Sequence, residues 1–261
     1  MQVSVFHSLR QAPHLFYHEH EQPKMKYGSE QVDKNGDKRM RKVSAPIALL
    51  KEQQRRLLET LEEFTLHDCM YGGVRGRNNI LNAIQHLCGK YFFTVDLKDF
   101  FKNISNAQIY QILVGLGITP ADAREFTRIA TLNQGLPQGA PTSTILSNLA
   151  FTQKAEILAP FCKANNITFT VFVDDLTFSS ANCFKHHTAK ILKLISDKNF
   201  RVNHNKIHYR KESCEITGLI VKKGRLRLPK VMLQHINKPG IKVYANRVER
   251  QYAAHISQKI K

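Results

Sequence analysis

The chain has 261 residues, with 39 Lys and Arg against 21 Asp and Glu, for a formal charge of +18. Its 42% hydrophobic content is enough for a core and excludes wholesale disorder. No apolar run reaches the roughly 18 residues a membrane span needs, and the start, MQVSVFHSLRQAPH, lacks the charged-then-apolar pattern of a secretion signal.

Residues 1–45 are polar, and His7, His14, His18 and His20 lack metal-ligand spacing, so they read as surface histidines. Lys34-Asn35-Gly36-Asp37-Lys38 reads as a turn centred on Asn-Gly. An amphipathic helix follows Pro46, with Leu50, Leu57, Leu58 and Leu61 in its apolar stripe. A glycine-rich basic loop, Tyr71 to Arg77, precedes a helix over 78–87. Tyr91 to Val95 is a buried strand by its aromatic and β-branched content. Thr119-Pro120 is a helix start, and Leu136 to Pro141 a loop. A helix is predicted over 142–165 and a strand over 167–173; Asp174-Asp175 then separates that strand from Leu176–Ser179. A helix over 184–198 and a last hairpin, 214–221 with 225–228, lead into a basic, partly helical tail. The scattered cysteines (Cys69, Cys88, Cys162, Cys183, Cys214) form no zinc motif and read as reduced thiols of a cytoplasmic protein.

The charge is uneven. From Lys222 to the end there are 11 Lys or Arg and one acid, Glu249, which suits a polyanionic partner. A basic but merely soluble surface is the plain alternative, and composition does not choose among RNA, DNA and anionic membrane. Three acids stand out by position. Asp96 closes an apolar strand, and Asp174 and Asp175 lie at a hairpin tip between apolar strands. Adjacent carboxylates repel unless a cation neutralises them. Hard oxygen donors suit Mg²⁺, and two such ions can activate a sugar hydroxyl and stabilise a leaving pyrophosphate.

FTVDLKDFF (93–101), LPQGAPTS (136–143) and FVDDLTFS (172–179) resemble, in order and separation, the three central blocks of reverse transcriptases. Phe172 stands where the third block carries tyrosine. Asn82-Ala83-Ile84-Gln85-His86 is similar to the NAxxH signature of retron reverse transcriptases, and Ile216-Thr217-Gly218 to their VTG signature. The resemblance covers about residues 30–230.

This resemblance implies an α+β right-hand polymerase with helical fingers, a ferredoxin-like palm and a short basic thumb. The expected divisions are 1–90 (N-terminal segment and fingers), 91–228 (palm with inserted fingers helices) and 229–261 (thumb or RNA-binding tail). It implies Asp96, Asp174 and Asp175 as catalytic ligands of two Mg²⁺ ions, with the Leu97 carbonyl added; Asp99 is a weaker candidate beside a solvated helix-start reading. Phe101 would gate the sugar, or be a core aromatic with Phe100 facing the nucleotide. Gln138 and Gly139 would lie along the nascent pair, and Lys206 beside the pyrophosphate. Lys34 and Arg41 would grip the triphosphate, with Lys38 or Arg39 as substitutes for Lys34. Asn82, His86, Thr217, Gly218, Lys222, Lys223, Arg225 and Arg227 are the expected RNA or primer contacts; a satisfied core histidine is the alternative for His86. Only 43 residues follow Gly218, so the thumb is expected to be minimal or completed by RNA or a partner chain. The implied partners are a structured non-coding RNA serving as template and 2′-hydroxyl primer, nascent DNA, dNTPs and a separate effector protein in anti-phage defence, with no membrane role. The rivals are another defence-associated or diversity-generating reverse transcriptase, an RNA polymerase, and an inactive RNA-binding scaffold.

Overall fold

Residues 12–260 are described by a computed structural model. Strands β1 (Tyr17–Pro23) and β4 (Met40–Pro46) pair antiparallel, with Tyr17 opposite Pro46 and Gln22 opposite Arg41. Between them, β2 (Met25–Lys26) and β3 (Ser29–Glu30) form a small hairpin. The predicted Asn-Gly turn follows, held by the Asp33 carboxylate, which accepts from the N–H groups of Asn35 (2.8 Å) and Asp37 (3.0 Å). His14, His18 and His20 are exposed, while His7 lies outside the described residues.

Helix α1 (Ala48–Leu61) buries the predicted Leu50, Leu57 and Leu61. Helix α2 (Asn79–Gln85) starts where the Asn78 side chain accepts from the N–H groups of Ile80 and Leu81. After β5 (Tyr91–Lys98) come α3 (Phe100–Asn103), at the helix start read for Asp99, and α4 (Asn106–Gly115), for which the sequence reading gave no helix. Helix α5 (Pro120–Ala130) begins at its predicted Thr119 cap, and α6 (Ser143–Ala164) fills the predicted apolar segment. The chain continues through β6 (Thr168–Phe172), β7 (Asp175–Ser180), α7 (Thr188–Ile195), β8 (Arg201–Val202) and β9 (His208–Lys211). A meander of β10 (Ser213–Ile216), β11 (Leu219–Lys222) and β12 (Arg225–Arg227) replaces the single hairpin expected there, because Thr217-Gly218 makes a second tight turn. Helices α8 (Lys230–Gln234) and α9 (Pro239–Ile260) end the chain.

The main sheet runs β6-β7-β5-β8, with β9 also on β5, and every pairing is antiparallel. Side chains alternate between its faces. Phe93, Val95, Leu97, Val171, Leu176 and Phe178 enter the large core beneath the helices. The opposite face carries Phe92, Thr94, Asp96, Thr170, Phe172, Asp175, Thr177 and Ser179, by the register of β5 and β6 on β7. One end of that face is covered by a second cluster, in which α2 supplies Ile80, Ala83 and Ile84, the meander Ile216, Leu219 and Val221, and α9 Val248. The other end carries the acids.

Candidate functional site

Asp96 and Asp175 are opposed in the β5–β7 ladder, and the Leu97 N–H donates to the Asp174 carbonyl at 2.9 Å. The three acids predicted from sequence thus meet at one end of the sheet. The hairpin turn consists of Val173 and Asp174, one residue earlier than the expected Asp-Asp tip, and Asp175 is already strand. Val173 has φ +60°, an unfavourable conformation for a β-branched residue, of the kind that costs roughly 1–3 kcal/mol and persists where the surroundings enforce it. The enforcing element is the glycine-rich segment. Tyr71 N–H donates to the Val171 carbonyl (2.7 Å), and Val171 N–H to the Cys69 carbonyl (2.8 Å). A Cβ on Gly72 would lie 2.6 Å from the Val173 nitrogen, so only glycine lets this segment run so close to the hairpin.

Asp96 is 8% exposed, and its carboxylate accepts from Lys206 Nζ (2.7 Å) and Asn203 Nδ2 (3.0 Å). Burial, then repulsion from Asp96, raises the pKa of Asp174. Asp175 keeps an open side to solvent, yet the protein packed around it, followed by the charges of Asp174 and Asp96, pushes its pKa up to about 7. Such a surplus of negative charge, on hard oxygen donors, is what a divalent cation relieves. Among the described residues no group of three or more His, Cys, Asp or Glu is gathered for a metal, and Lys206 is the cation on Asp96. The donor chemistry and charge balance fit Mg²⁺, while a closed ligand cage is not formed.

The other predicted residues divide. Leu97 is buried beside the acids. Phe100 is a core residue, 6.0 Å from the Phe200 ring, whereas Phe101 is half-buried, so the phenyl left partly open is Phe101. Asp99 is exposed. Gln138 and Gly139 are exposed on a loop fastened to β4: Ser44 N–H donates to the Gln138 carbonyl (2.8 Å), and Gly139, at φ +120°, leaves no room for a Cβ against Val43. Arg41 on the same strand lies across from the Gln22 side-chain amide. Lys222, Lys223, Arg225 and Arg227 are all exposed.

Two expectations need correction. Asn82 and His86 are 1% and 0% exposed, which leaves neither side chain available to RNA. His86 instead joins its ring nitrogens to Ser179 Oγ (2.7 Å) and Thr170 Oγ1 (2.8 Å), and burial holds its pKa down at about 3. Asn82 Nδ2 donates to Thr217 Oγ1 at 3.3 Å. His86 therefore braces β6 against β7, and Asn82 braces the Thr217-Gly218 turn. Lys34 is exposed in the Asp33–Asp37 turn where it was expected, and nearer the acids the charge of Lys24 acts on Asp174 and that of Lys26 on Asp175. Sequence reasoning missed these two because their closeness depends on the β1–β4 pairing; a lysine pair at the end of a strand was the only signal.

The family described as reverse transcriptase (RNA-dependent DNA polymerase) matches residues 32–221. The chain belongs to that family. It is similar to the retron Ec86 reverse transcriptase of Escherichia coli, at 25% identity over 75% of this chain and 63% of that protein. The retron Se72 reverse transcriptase of Salmonella heidelberg is 27% identical over 81% of this chain and 59% of its own. The chain therefore spans under two thirds of the length of these relatives, and its retron-type character, read from sequence, agrees with them. The fold is similar to part of apo telomerase from Candida tropicalis, with a TM-score of 0.53 at 12% identity over 74% of this chain and 46% of that one.

Proposed function

We propose that the chain is an RNA-directed DNA polymerase that extends a primer hydroxyl by nucleotidyl transfer. The observation that carries this is the meeting of Asp96, Asp174 and Asp175 at the open end of one sheet, with the Asp174 and Asp175 carboxylates short of positive charge. Asp96, Asp174, Asp175 and the Leu97 carbonyl are the groups to hold two Mg²⁺ ions. Bound there, the ions would supply activation of the attacking hydroxyl and charge neutralisation at the phosphates. Lys206 balances Asp96 and would be the cation placed to meet the pyrophosphate. Phe101 limits the space beyond Asp96 to a deoxyribose, Gln138 and Gly139 border the nascent pair, and Arg41 with Lys24 faces the triphosphate. Thr217-Gly218 borders the primer end.

The substrate RNA in this reading is a dedicated structured non-coding RNA that also primes from a 2′-hydroxyl, as the sequence resemblance implies. The resulting RNA–DNA molecule, with a separate effector protein, would serve anti-phage defence. The exposed Lys222, Lys223, Arg225 and Arg227 and the helix that follows bind the RNA backbone without reading sequence. The divisions into fingers, palm and thumb near residues 90 and 228, and a cytoplasmic location, belong to the same proposal; no described helix is long and apolar enough to cross a membrane.

Purified protein with its co-purifying RNA, Mg²⁺ and labelled dNTPs should build RNA-linked DNA. Asp174→Ala with Asp175→Ala should abolish incorporation and leave the thermal midpoint at or above wild type. Synthesis surviving in that variant removes the metal assignment. An RNA-binding scaffold would retain RNA and incorporate nothing.

A further inference from the structure

The small hairpin β2–β3 does not stay with the strands that carry it. Its turn residues, Tyr27 (φ +55°) and Gly28 (φ +79°), project away from the β1–β4 pair and reach the meander. Lys26 Nζ bonds Glu215 Oε1 on β10 at 2.9 Å, with both side chains partly open to solvent. The Tyr27 ring stands over the Thr217-Gly218 turn: a Cβ placed on Gly218 would be 3.8 Å from Tyr27 Cε1. Its hydroxyl oxygen is out of solvent, although Tyr27 lies at the tip of a hairpin whose other residues are exposed. The positive charge of Lys24 acts on Asp174 and that of Lys26 on Asp175, in the direction that lowers their pKa values.

β4 is fastened to the 136–141 loop on one side, through Ser44 and Gln138. β4, β1 and the hairpin thereby link the loop at Gln138 to the meander at Glu215 and Gly218. A primer terminus cannot lie against Thr217-Gly218 while the Tyr27 ring covers that turn. We infer that the β2–β3 hairpin is a latch: Lys26–Glu215 and Tyr27 over Gly218 hold the cleft shut, and a template–primer duplex must displace them to bind. The inference rests on the polymerase reading for the identity of the ligand. Its chemistry is otherwise simple. The latch is one exposed ion pair and one ring contact, weak enough to yield to a polyanion drawn in by a +18 chain. The binding-competent fraction is then reduced in the free protein, and the apparent affinity falls by that fraction.

The test measures association of a fluorescent RNA–DNA hybrid with the full chain by stopped-flow anisotropy. Lys26→Glu and Glu215→Lys change the charge in opposite senses but both break the ion pair. The latch predicts that both accelerate association, by about two- to five-fold as suits an exposed pair, and that the exchanged double variant Lys26→Glu/Glu215→Lys returns to the wild-type rate. Tyr27→Ala should accelerate it further. Simple steering predicts the opposite pattern, slower for Lys26→Glu and faster for Glu215→Lys, and that result overturns the latch. So does an unchanged rate in Tyr27→Ala. Incorporation of dNTPs by the wild-type chain is scored separately: its absence defeats the polymerase reading and leaves the binding result standing. If neither wild type nor the opened variants bind the hybrid, both readings fall.

Discussion

His86 is the residue whose role the structure changed most, and its burial yields a stability prediction that can be worked through. The ring is 0% exposed and joins Thr170 on β6 to Ser179 on β7, the two strands of the hairpin that carries the acid pair. Burial holds its folded pKa at about 3, against roughly 6.5 in an unfolded chain. Because the folded value is the lower one, the unfolded state binds the extra proton as the pH drops. The stability is complete above about pH 6.5 and is lost progressively down to about pH 3. At pH 5 the folded ring is still neutral, so the loss is set by the unfolded value and comes to about 2 kcal/mol, or roughly 4–8 °C in thermal midpoint for a chain of this size. His86→Gln keeps a donor and an acceptor for the two hydroxyls and does not titrate. It should cost about 1 kcal/mol at pH 7 and cost less, or become stabilising, at pH 5. His86→Leu leaves both hydroxyls without the ring and should cost about 2–6 kcal/mol. Thermal unfolding of wild type and both variants at pH 7 and pH 5, at equal ionic strength, reads this out. Parallel pH dependence in wild type and His86→Gln would refute the reasoning, whatever the absolute midpoints.

Asp175 has the opposite sign: its folded pKa is raised, so its cost to stability is absent below about pH 4, grows through about pH 7 and is then constant. Without metal, Asp175→Asn should raise stability at pH 8 by up to about 1 kcal/mol, screened as the group is by solvent, and have no effect near pH 4; thermal unfolding at the two pH values checks it. Gly72→Ala forces a Cβ onto the Val173 backbone and should cost about 2 kcal/mol or more, with reduced dNTP incorporation at temperatures where the variant remains folded. Phe101→Ala should gain ribonucleotide incorporation by about ten-fold while Phe100→Ala, which empties a core position, should lose about 3–5 kcal/mol of stability; gain confined to Phe100→Ala would reverse the assignment. Changing Lys222, Lys223, Arg225 and Arg227 to Gln should flatten the dependence of RNA affinity on salt, by about 0.7 to 0.9 in log–log slope for each phosphate no longer neutralised. An unchanged slope would remove these residues from the interface.

Several features were legible in the sequence because they are local. The Leu50–Leu61 stripe of α1, the Thr119-Pro120 start of α5, the Asn-Gly turn and the apolar strand of β5 each follow from spacing and backbone preference, and all are present. The three acids were legible for a related reason: carboxylates next to apolar strand residues, one late in β5 and two at the β6–β7 turn and the start of β7, stand out against the pattern around them. What the sequence left open was what faces what. Asn82 and His86 sit in a recognisable pattern, but the pattern is silent on whether the imidazole meets RNA or two hydroxyls, and that depended on α2 lying across the polar face of β6 and β7. The same holds for Lys34 against Lys24 and Lys26, because the distance of a cation from the acids is set by where the β1–β4 pair sends its connecting hairpin. Charge and hydrogen-bonding capacity are written residue by residue. Their partners are fixed only when strands distant in sequence come into register.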